Sequence, residues 1–529
     1  MDHDPTPRTV PVLVRRFAHT PPPLALFRAL TGGGRRPHTV LLESADPESR
    51  QHRRSLLIPS SALAITCRGA DVVIESLRPD TAPLLVHLEP FLRLFSPVRE
   101  GNVLRLTAPM PGAAVDDAER LRAPSALDVL RRVAGAFTHP APDRADAVLL
   151  AGLLSYDLAG HFETLPPPRA PGHAVPDFRF YLADQLVVVD HREGTTDVVV
   201  PLLSGDDPAG QERAHAAMAE LSAAVEAGGD MMDEPPQGVA SAAAATVDMD
   251  DDAFAAEVQR LKGHVVAGDV FQVVASRTFS MPCPDALAAY ERLRHAEPAP
   301  YLFYMDAGAF ALFGASPESA VRVEGPSRTV EVSPIAGTRP RGLDAAGAVD
   351  HDLDVRYEVE LRTDPKENAE HLMLVDLARN DVARISRPGT RRVTRLLAVE
   401  RYTRVMHLVS RVRGELAAGL DALHACQACL NPGMLTGAPK LRAMQLLRES
   451  EEEERGHYGG AIGYLTGDGS LDSAIVIRAA LVRNGIAHVR AGAGVVHDSD
   501  PMAEAAETRH KAAAVLRAIG AAEGAVAHA

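Results

Sequence analysis

The chain has 529 residues, 46% of them apolar, and a formal net charge of −15, so it can bury a large core over more than one domain's length. An acidic balance argues against a nucleic-acid or anionic-membrane surface, because phosphate binding needs concentrated Lys and Arg; an anionic ligand would need a local positive pocket or a metal ion. The longest apolar stretch, AVLLAGLL, is too short to span a bilayer, and the N-terminus carries early acids and prolines in place of an apolar leader core, so no membrane contact and a cytoplasmic location are expected.

In chain order, residues 10 to 203 alternate short apolar runs with turn signals. TVLLESAD, SALAITCRG, ADVVIESL, NVLRLTA and DQLVVVDH read as strands, and SALDVLRRVAGAF reads as a helix among them. Residues 204 to 250 begin as a polar, Ala-rich helix and continue into a Gly-, Pro- and acid-rich stretch with little to bury, the expected linker. From 251 to 522 helices and strands alternate as one large domain. Cys67, Cys283, Cys426 and Cys429 are too few and scattered for a disulfide framework. The C-x-x-C of Cys426 and Cys429 lacks the second pair that a tetrahedral zinc site needs. Lysine occurs only at 262, 366, 440 and 511, the rest of the 55 basic residues being arginine. Each surviving lysine marks a candidate place for a compact point charge.

Two helices begin alike. Asp364 is the expected N-cap of TDPKENAEHLMLVDLARNDVARI, with Pro365 at the first helical position and Glu367 completing a capping box. Asp500 and Pro501 start the second, which projects Glu504, Glu507 and Lys511. Two E-x-x-E faces suit a shared Mg²⁺, although acids near a helix N-terminus also occur simply as solvated faces. Small and charged residues collect in SPIAGTRPRG, NPGMLTGAPKLRAM, HYGGAIGYL and VRAGAGVVHDSDP. There glycine lets backbone N–H groups approach an anion, and Thr338, Lys440, Tyr458 and Arg478 are candidate carboxylate donors. His407, inside the apolar run RVMHLVSRV, is either a structural histidine or a proton shuttle. These residues describe a metal-assisted enzyme acting on a small carboxylate.

Taken in order, GDVFQVVASR, PAPYLFYM, LFGASPES, PIAGTRPRG, KENAEHLMLVDLARND, VMHLVSRVRGEL, LTGAPKLRAMQLL, YGGAIGY, AIVIRAALV, AGAGVV and EAAETRHKA, with LLESAD, LLSYDLAG and DFRFYLAD before them, resemble the chorismate-utilising enzymes. The resemblance is greatest to the large subunits of anthranilate synthase and covers nearly the whole chain. It implies an α+β fold of four layers, α/β/β/α, with orthogonally packed, mostly antiparallel sheets. It implies that Glu370 and Glu507 hold Mg²⁺ against the ring carboxylate of chorismate. Gly337, Thr338, Tyr458, Arg478, Gly492, Ala493, Gly494 and Lys511 would bind substrate, with Thr338 also beside the chemistry. His407 would assist pyruvate loss and Glu318 would protonate the departing hydroxyl.

Two positions narrow the nucleophile within that resemblance. Relatives that add water carry a lysine base where Gln272 stands here, and relatives that use a lysine nucleophile carry it where Ala336 stands. Ammonia is the expected nucleophile, supplied by a separate glutamine amidotransferase subunit in a hetero-oligomer of two large and two small subunits. Ser44, Pro300, Tyr301 and Leu302 match the segments that contact L-tryptophan as feedback inhibitor, and the chain itself contains no tryptophan. Met434 departs from the family, which usually carries a hydroxyl before L-[ST]-G-A-P. Two rival readings are an enzyme that stops at aminodeoxyisochorismate and a non-catalytic tryptophan-binding regulator.

Overall fold

The computed structural model describes residues 5–44, 54–110, 116–139, 144–170, 175–205, 207–229, 243–344 and 347–526. The expected linker residues 230–242, and the end of the LLESAD segment, lie outside them. Ten strands and five helices suffice to place the site. The strands are β1 (Thr39–Glu43), β2 (Arg54–Arg68), β3 (Leu149–Leu154), β4 (Phe178–Asp190), β5 (Gln272–Pro282), β6 (Tyr301–Asp306), β7 (Ile335–Pro340), β8 (Val405–Glu415), β9 (Ala461–Thr466) and β10 (Ile486–Val495). The helices are α1 (Pro208–Gly228), α2 (Asp251–Val266), α3 (Pro365–Ile385), α4 (Lys440–Ser450) and α5 (Pro501–Ile519).

Helix starts follow from local chemistry. Asp207, Asp250, Asp364 and Asp500 each accept a hydrogen bond from a first-turn N–H, and three of them precede a proline whose missing N–H would have been unpaired there anyway. The sheets are α+β in character and largely antiparallel, and their pairings join into a network that closes on itself. β3, LLAGLL, is buried along its whole length because strands flank it on both sides: β4 on one edge and β9 on the other. β1 likewise lies against β2 and β6. Strands from before and after the 204–250 segment are therefore direct neighbours. Both large apolar clusters also mix the two regions: Leu63, Phe178 and Leu130 pack with Val382, Val412 and Cys426, and Phe27 and Val198 with Phe279, Phe313 and Leu516. Among the described residues no helix is long and apolar enough to cross a membrane.

Three buried arginines, Arg277, Arg455 and Arg490, join the elements that carry the site. Arg277 on β5 is 1% exposed; its guanidinium donates to Thr508 Oγ1 (2.9 Å) and Ala505 O (2.8 Å) on α5, and to Met249 O (2.8 Å) and Asp251 Oδ1 (2.7 Å) at the start of α2. Glu451, after α4, is buried between Arg455 (2.6 Å) and Arg490 of β10 (2.8 Å), and accepts from Ser276 Oγ of β5 (2.7 Å). Arg455 also donates to the carbonyls of Leu435 and Val274. Glu451→Gln leaves both guanidinium groups buried without their counter-charge, so it is expected to cost about 3–5 kcal/mol, read as a lower midpoint in urea unfolding; an unchanged midpoint would show that the charge is dispensable.

Candidate active site

The acidic side is built at the start of α3 and along α5. Asp364 accepts from the N–H groups of Lys366 (2.9 Å) and Glu367 (3.1 Å), as expected of the cap. The capping box is only half made, because the Glu367 carboxylate is held by Arg339 Nη1 (3.0 Å), whose guanidinium also binds Asp364 (3.0 Å) and Glu360 (2.7 Å). Charge attraction to a guanidinium outcompetes a neutral N–H donor here. Glu370 thus remains as the inward acid of α3, with Lys366 Nζ 3.8 Å away. Burial pushes its carboxyl up; Lys366 opposes this, and Glu367 and Glu507 add to it. Glu504, 7% exposed, is raised by burial in the same way, with Glu507 contributing. Acids from two separate helices therefore repel across one space, the donor set that a hard divalent ion takes. Glu370 and Glu507 fit the expected Mg²⁺.

The cationic side lies next to it. Lys511 Nζ binds Glu507 (2.5 Å) and Gly492 O (2.9 Å), and Arg478, a residue at φ +50°, donates from Nη1 to Lys511 O (3.2 Å). Lys511 is thus engaged with Glu507 itself. Gly492 and Gly494 face the ends of two polar side chains. A Cβ on Gly492 would stand 2.6 Å from the Tyr458 hydroxyl, and one on Gly494 3.1 Å from Gln272 Nε2. Hence Gln272, Tyr458 and the Gly492, Ala493, Gly494 backbone, paired with Ser276, Ala275 and Val274 of β5, line one surface. Burial pushes the Tyr458 phenol up to about 12 against the pull of Arg455, so it stays a neutral hydrogen-bond donor.

The third wall is the β7–β8 pair. Thr338 lies opposite His407 in the register, and its Oγ1 is 3.0 Å from His407 Nδ1, which is also 3.3 Å from Gly337 O. A carbonyl only accepts, so the ring proton is assigned to Nδ1 and Nε2 keeps its lone pair. Burial lowers His407 to about 4, with the Gly337 hydrogen bond opposing and Arg478 adding; the imidazole is neutral at physiological pH. Gly337 needs to be glycine: its φ is +74°, and a Cβ would meet Leu361 Cδ1 at 2.9 Å. Glu318, 4% exposed, accepts from Ile335 N (3.1 Å) two residues before Gly337, and burial pushes its carboxyl up to about 8. It is therefore protonated at neutral pH. Met434 lines a narrow cavity with Glu318, Pro334, Asp381 and Ile475, so a thioether stands beside this acid.

A profile described as chorismate binding enzyme matches residues 104–517. The chain belongs to the chorismate-binding enzyme family. It is 50% identical over 514 residues to anthranilate synthase component 1 of Vibrio cholerae, covering 96% of each chain. It is also 50% identical over 504 residues to the pyocyanine-specific anthranilate synthase component 1 of Pseudomonas aeruginosa, covering 95% of this chain and 93% of that one. Among solved structures, anthranilate synthase component I from Streptococcus pneumoniae aligns with a TM-score of 0.64 at 28% identity, over 88% of this chain and 93% of that one. The menaquinone-specific isochorismate synthase of Escherichia coli shares the fold, with a TM-score of 0.62 at 18% identity over 97% and 95% of the two chains.

Within this family member, a second sequence expectation is corrected besides the capping box. Lys440 is not a donor for a ligand carboxylate, because it is paired with Asp381 (2.6 Å) and donates to Leu430 O (3.3 Å), fastening the L-T-G-A-P-K turn to α3. Sequence reasoning missed Arg339, Arg455 and Arg490, which carry no signal among so many arginines, and Glu451, which opens a run of four acids. Lys262, marked by the scarcity of lysine but given no partner by the sequence, holds Ser499 O with its Nζ (2.9 Å) just before α5.

Away from these walls, Ser44, Pro300, Tyr301 and Leu302 come together on a cavity of about 770 Å³ that Arg54, Arg322, Tyr464 and Asp472 also line. Tyr301 donates to Asp472 Oδ1 (3.2 Å). The Ser44 hydroxyl is buried with no hydrogen-bond partner among the described residues.

Glu318 gives a test of this electrostatic setting. Its native value near 8 exceeds its ordinary 4.5, so between those pH values the native chain holds a proton that the unfolded chain has released, and stability falls as pH rises through that window. Glu318→Gln removes the penalty. Its denaturation midpoint is expected to exceed that of the parent chain at pH 8 and to converge with it near pH 4; a constant difference would show that Glu318 is not raised.

Proposed function

We propose that this chain is the chorismate-consuming component of an anthranilate synthase, at the first step of tryptophan biosynthesis. It would convert chorismate and ammonia to anthranilate and pyruvate, working in the cytoplasm with a glutamine amidotransferase subunit, two of each in the assembly. The observation that carries this reading is the pair Glu370 and Glu507, acids on different helices, the Glu507 charge helping to raise Glu370 beside Arg478 and Lys511. Bound there, Mg²⁺ supplies positive charge against the ring carboxylate of the substrate. Arg478, Tyr458, Thr338 and the Gly492–Gly494 backbone orient the substrate's carboxylates.

Ammonia adds at ring C2 while Glu318, protonated below about pH 8, gives its proton to the departing C4 hydroxyl, which leaves as water. Gln272 beside this surface holds no basic group, which suits a nucleophile that needs no deprotonation before attack. Aminodeoxyisochorismate then loses its C2 proton to neutral His407, the bond between the ring and the enolpyruvyl oxygen breaks, and pyruvate enolate departs as the ring becomes aromatic, taking a proton to become pyruvate. A neutral His407 bonded to Thr338 favours this second step over an enzyme that stops at the intermediate. The cavity at Ser44 and Tyr301 is where L-tryptophan would act as feedback inhibitor, its polar groups meeting the Ser44 hydroxyl, which has no partner among the described residues.

The test is purified chain with chorismate, Mg²⁺ and ammonium, followed by anthranilate fluorescence and pyruvate release. Both products are expected; chorismate consumed without pyruvate would favour the shorter reaction, and no consumption would favour a non-catalytic regulator. Glu507→Gln is expected to abolish Mg²⁺-dependent turnover, and normal turnover would remove that residue from the metal site. Ser44→Leu should move the tryptophan inhibition curve to higher concentration, and an unmoved curve would place the inhibitor elsewhere.

A further inference from the structure

Cys67 is the penultimate residue of β2, Asp177 immediately precedes β4, and His161 ends the short 3-10 turn Tyr156–His161. The β2–β4 pairing places Phe178 opposite Cys67, and Asp177 N donates to Cys67 O (2.9 Å), so thiol and carboxylate are brought to the same sheet end. The His161 ring closes over them. Its Nε2 is 3.0 Å from Asp177 Oδ2, and one ligand atom from each of the three residues lies within 4.8 Å of the other two. Cys67 is 0% exposed and His161 4%, while Asp177 is half-buried. We propose that Cys67, His161 and Asp177 form a second metal site, selective for zinc or a similar borderline ion and distinct from the acidic site of α3 and α5.

The donor set decides the ion. A thiolate, an imidazole and a carboxylate suit zinc, and the sulfur disfavours Mg²⁺ and Ca²⁺, which take oxygen. Tetrahedral zinc places such donors roughly 3.3–3.6 Å apart, so the observed group needs only small side-chain adjustment, with water in the fourth position. The competing view is a His–Asp pair beside a small apolar cysteine. In that view His161 Nε2 pairs with Asp177 Oδ2, which also accepts from Gly69 N (2.6 Å), and the thiol has only a 3.4 Å contact to Gly69 O. Under either view His161 Nδ1 is buried without a hydrogen-bond partner among the described residues, so the choice rests on the convergence of the three donor atoms. On binding, the Cys67 proton passes to solvent and the thiolate takes up the ion.

Such a site clips the ends of β2 and β4 to the Tyr156–His161 turn. The other end of that turn reaches the catalytic floor: Tyr156 donates to Thr436 Oγ1 (3.1 Å) under the Arg455 guanidinium (4.8 Å), and Asp157 takes Arg448 (2.7 Å) and Gly456 N (2.6 Å). The expected role is structural, since none of the three ligands belongs to the three walls of the site.

The experiment is titration of the chelator-stripped full chain with Co²⁺, reading the thiolate-to-cobalt charge-transfer band, with Mg²⁺ present in excess. One equivalent per chain is expected to give the band. Cys67→Ser should abolish it and His161→Gln should weaken cobalt binding by about tenfold or more, and zinc should displace cobalt and raise the thermal midpoint of the parent chain only. No band in the parent, or a band that survives Cys67→Ser, as it would if Cys426 and Cys429 were the ligands, overturns the proposal. Should Cys67→Ser fail to fold, Asp177→Asn and His161→Gln carry the same comparison, and undiminished binding in both overturns it.

Discussion

The Glu451 carboxylate, fully enclosed between Arg455 and Arg490, is the interaction on which the catalytic half depends. Each of its partners reaches a different element: Arg490 sits in β10, Ser276 in β5, and Arg455 extends to the carbonyls of Leu435 and Val274 while lying over the rings of Tyr156 and Tyr458. Burial would raise an isolated carboxyl, yet the two guanidinium groups hold Glu451 below its ordinary range. A buried charge of this kind is tolerable only when its partners are in place, so it enforces one arrangement of the turns that carry Tyr458, Leu435 and Gly492.

Above that platform the charges are deliberately unbalanced. Burial raises Glu370 and Glu504, the Glu507 charge adding to both, Glu318 holds a proton it would lose in water, and His407 is kept neutral. Each departure costs stability and each sits beside a small polar surface, which is the pattern of groups tuned for proton movement and cation binding. The lysines are placed accordingly. Lys366 and Lys511 reach the acids, Lys440 ties the L-T-G-A-P-K turn to α3, and Lys262 fastens the loop that starts α5. All four act as point charges on the helices that frame the pocket. Arginine serves instead where several acceptors are bridged at once, as Arg277 and Arg339 do.

The distinction between Glu367 and Glu370 shows what periodicity leaves open. Both lie on the same side of α3 by spacing, yet only Glu370 is available to a cation, because Arg339, arriving from β7, takes Glu367. The same holds for Lys440 and Lys511, equally plausible anion donors by type. One is consumed by Asp381 on α3, whereas the other bridges Glu507 and Gly492 at the pocket. Nothing within a few residues of either lysine encodes that difference.

Local physics made much of the chain legible in sequence. Asp-Pro caps announced the acidic helices, short apolar runs announced β1, β2 and β4, and family motifs singled out Glu318, Gly337, His407, Tyr458 and Arg478, since each of these signals lies within a few residues. Tertiary structure alone decided that the regions flanking residues 204–250 interleave strand by strand, because pairing of β1 with β6 and β3 with β9 joins residues hundreds of positions apart. It alone decided which acids face each other, which cations are already spent, and that Cys67 meets His161 and Asp177. Protonation follows from those decisions, since burial and neighbouring charge, not residue type, keep Glu318 protonated and His407 neutral.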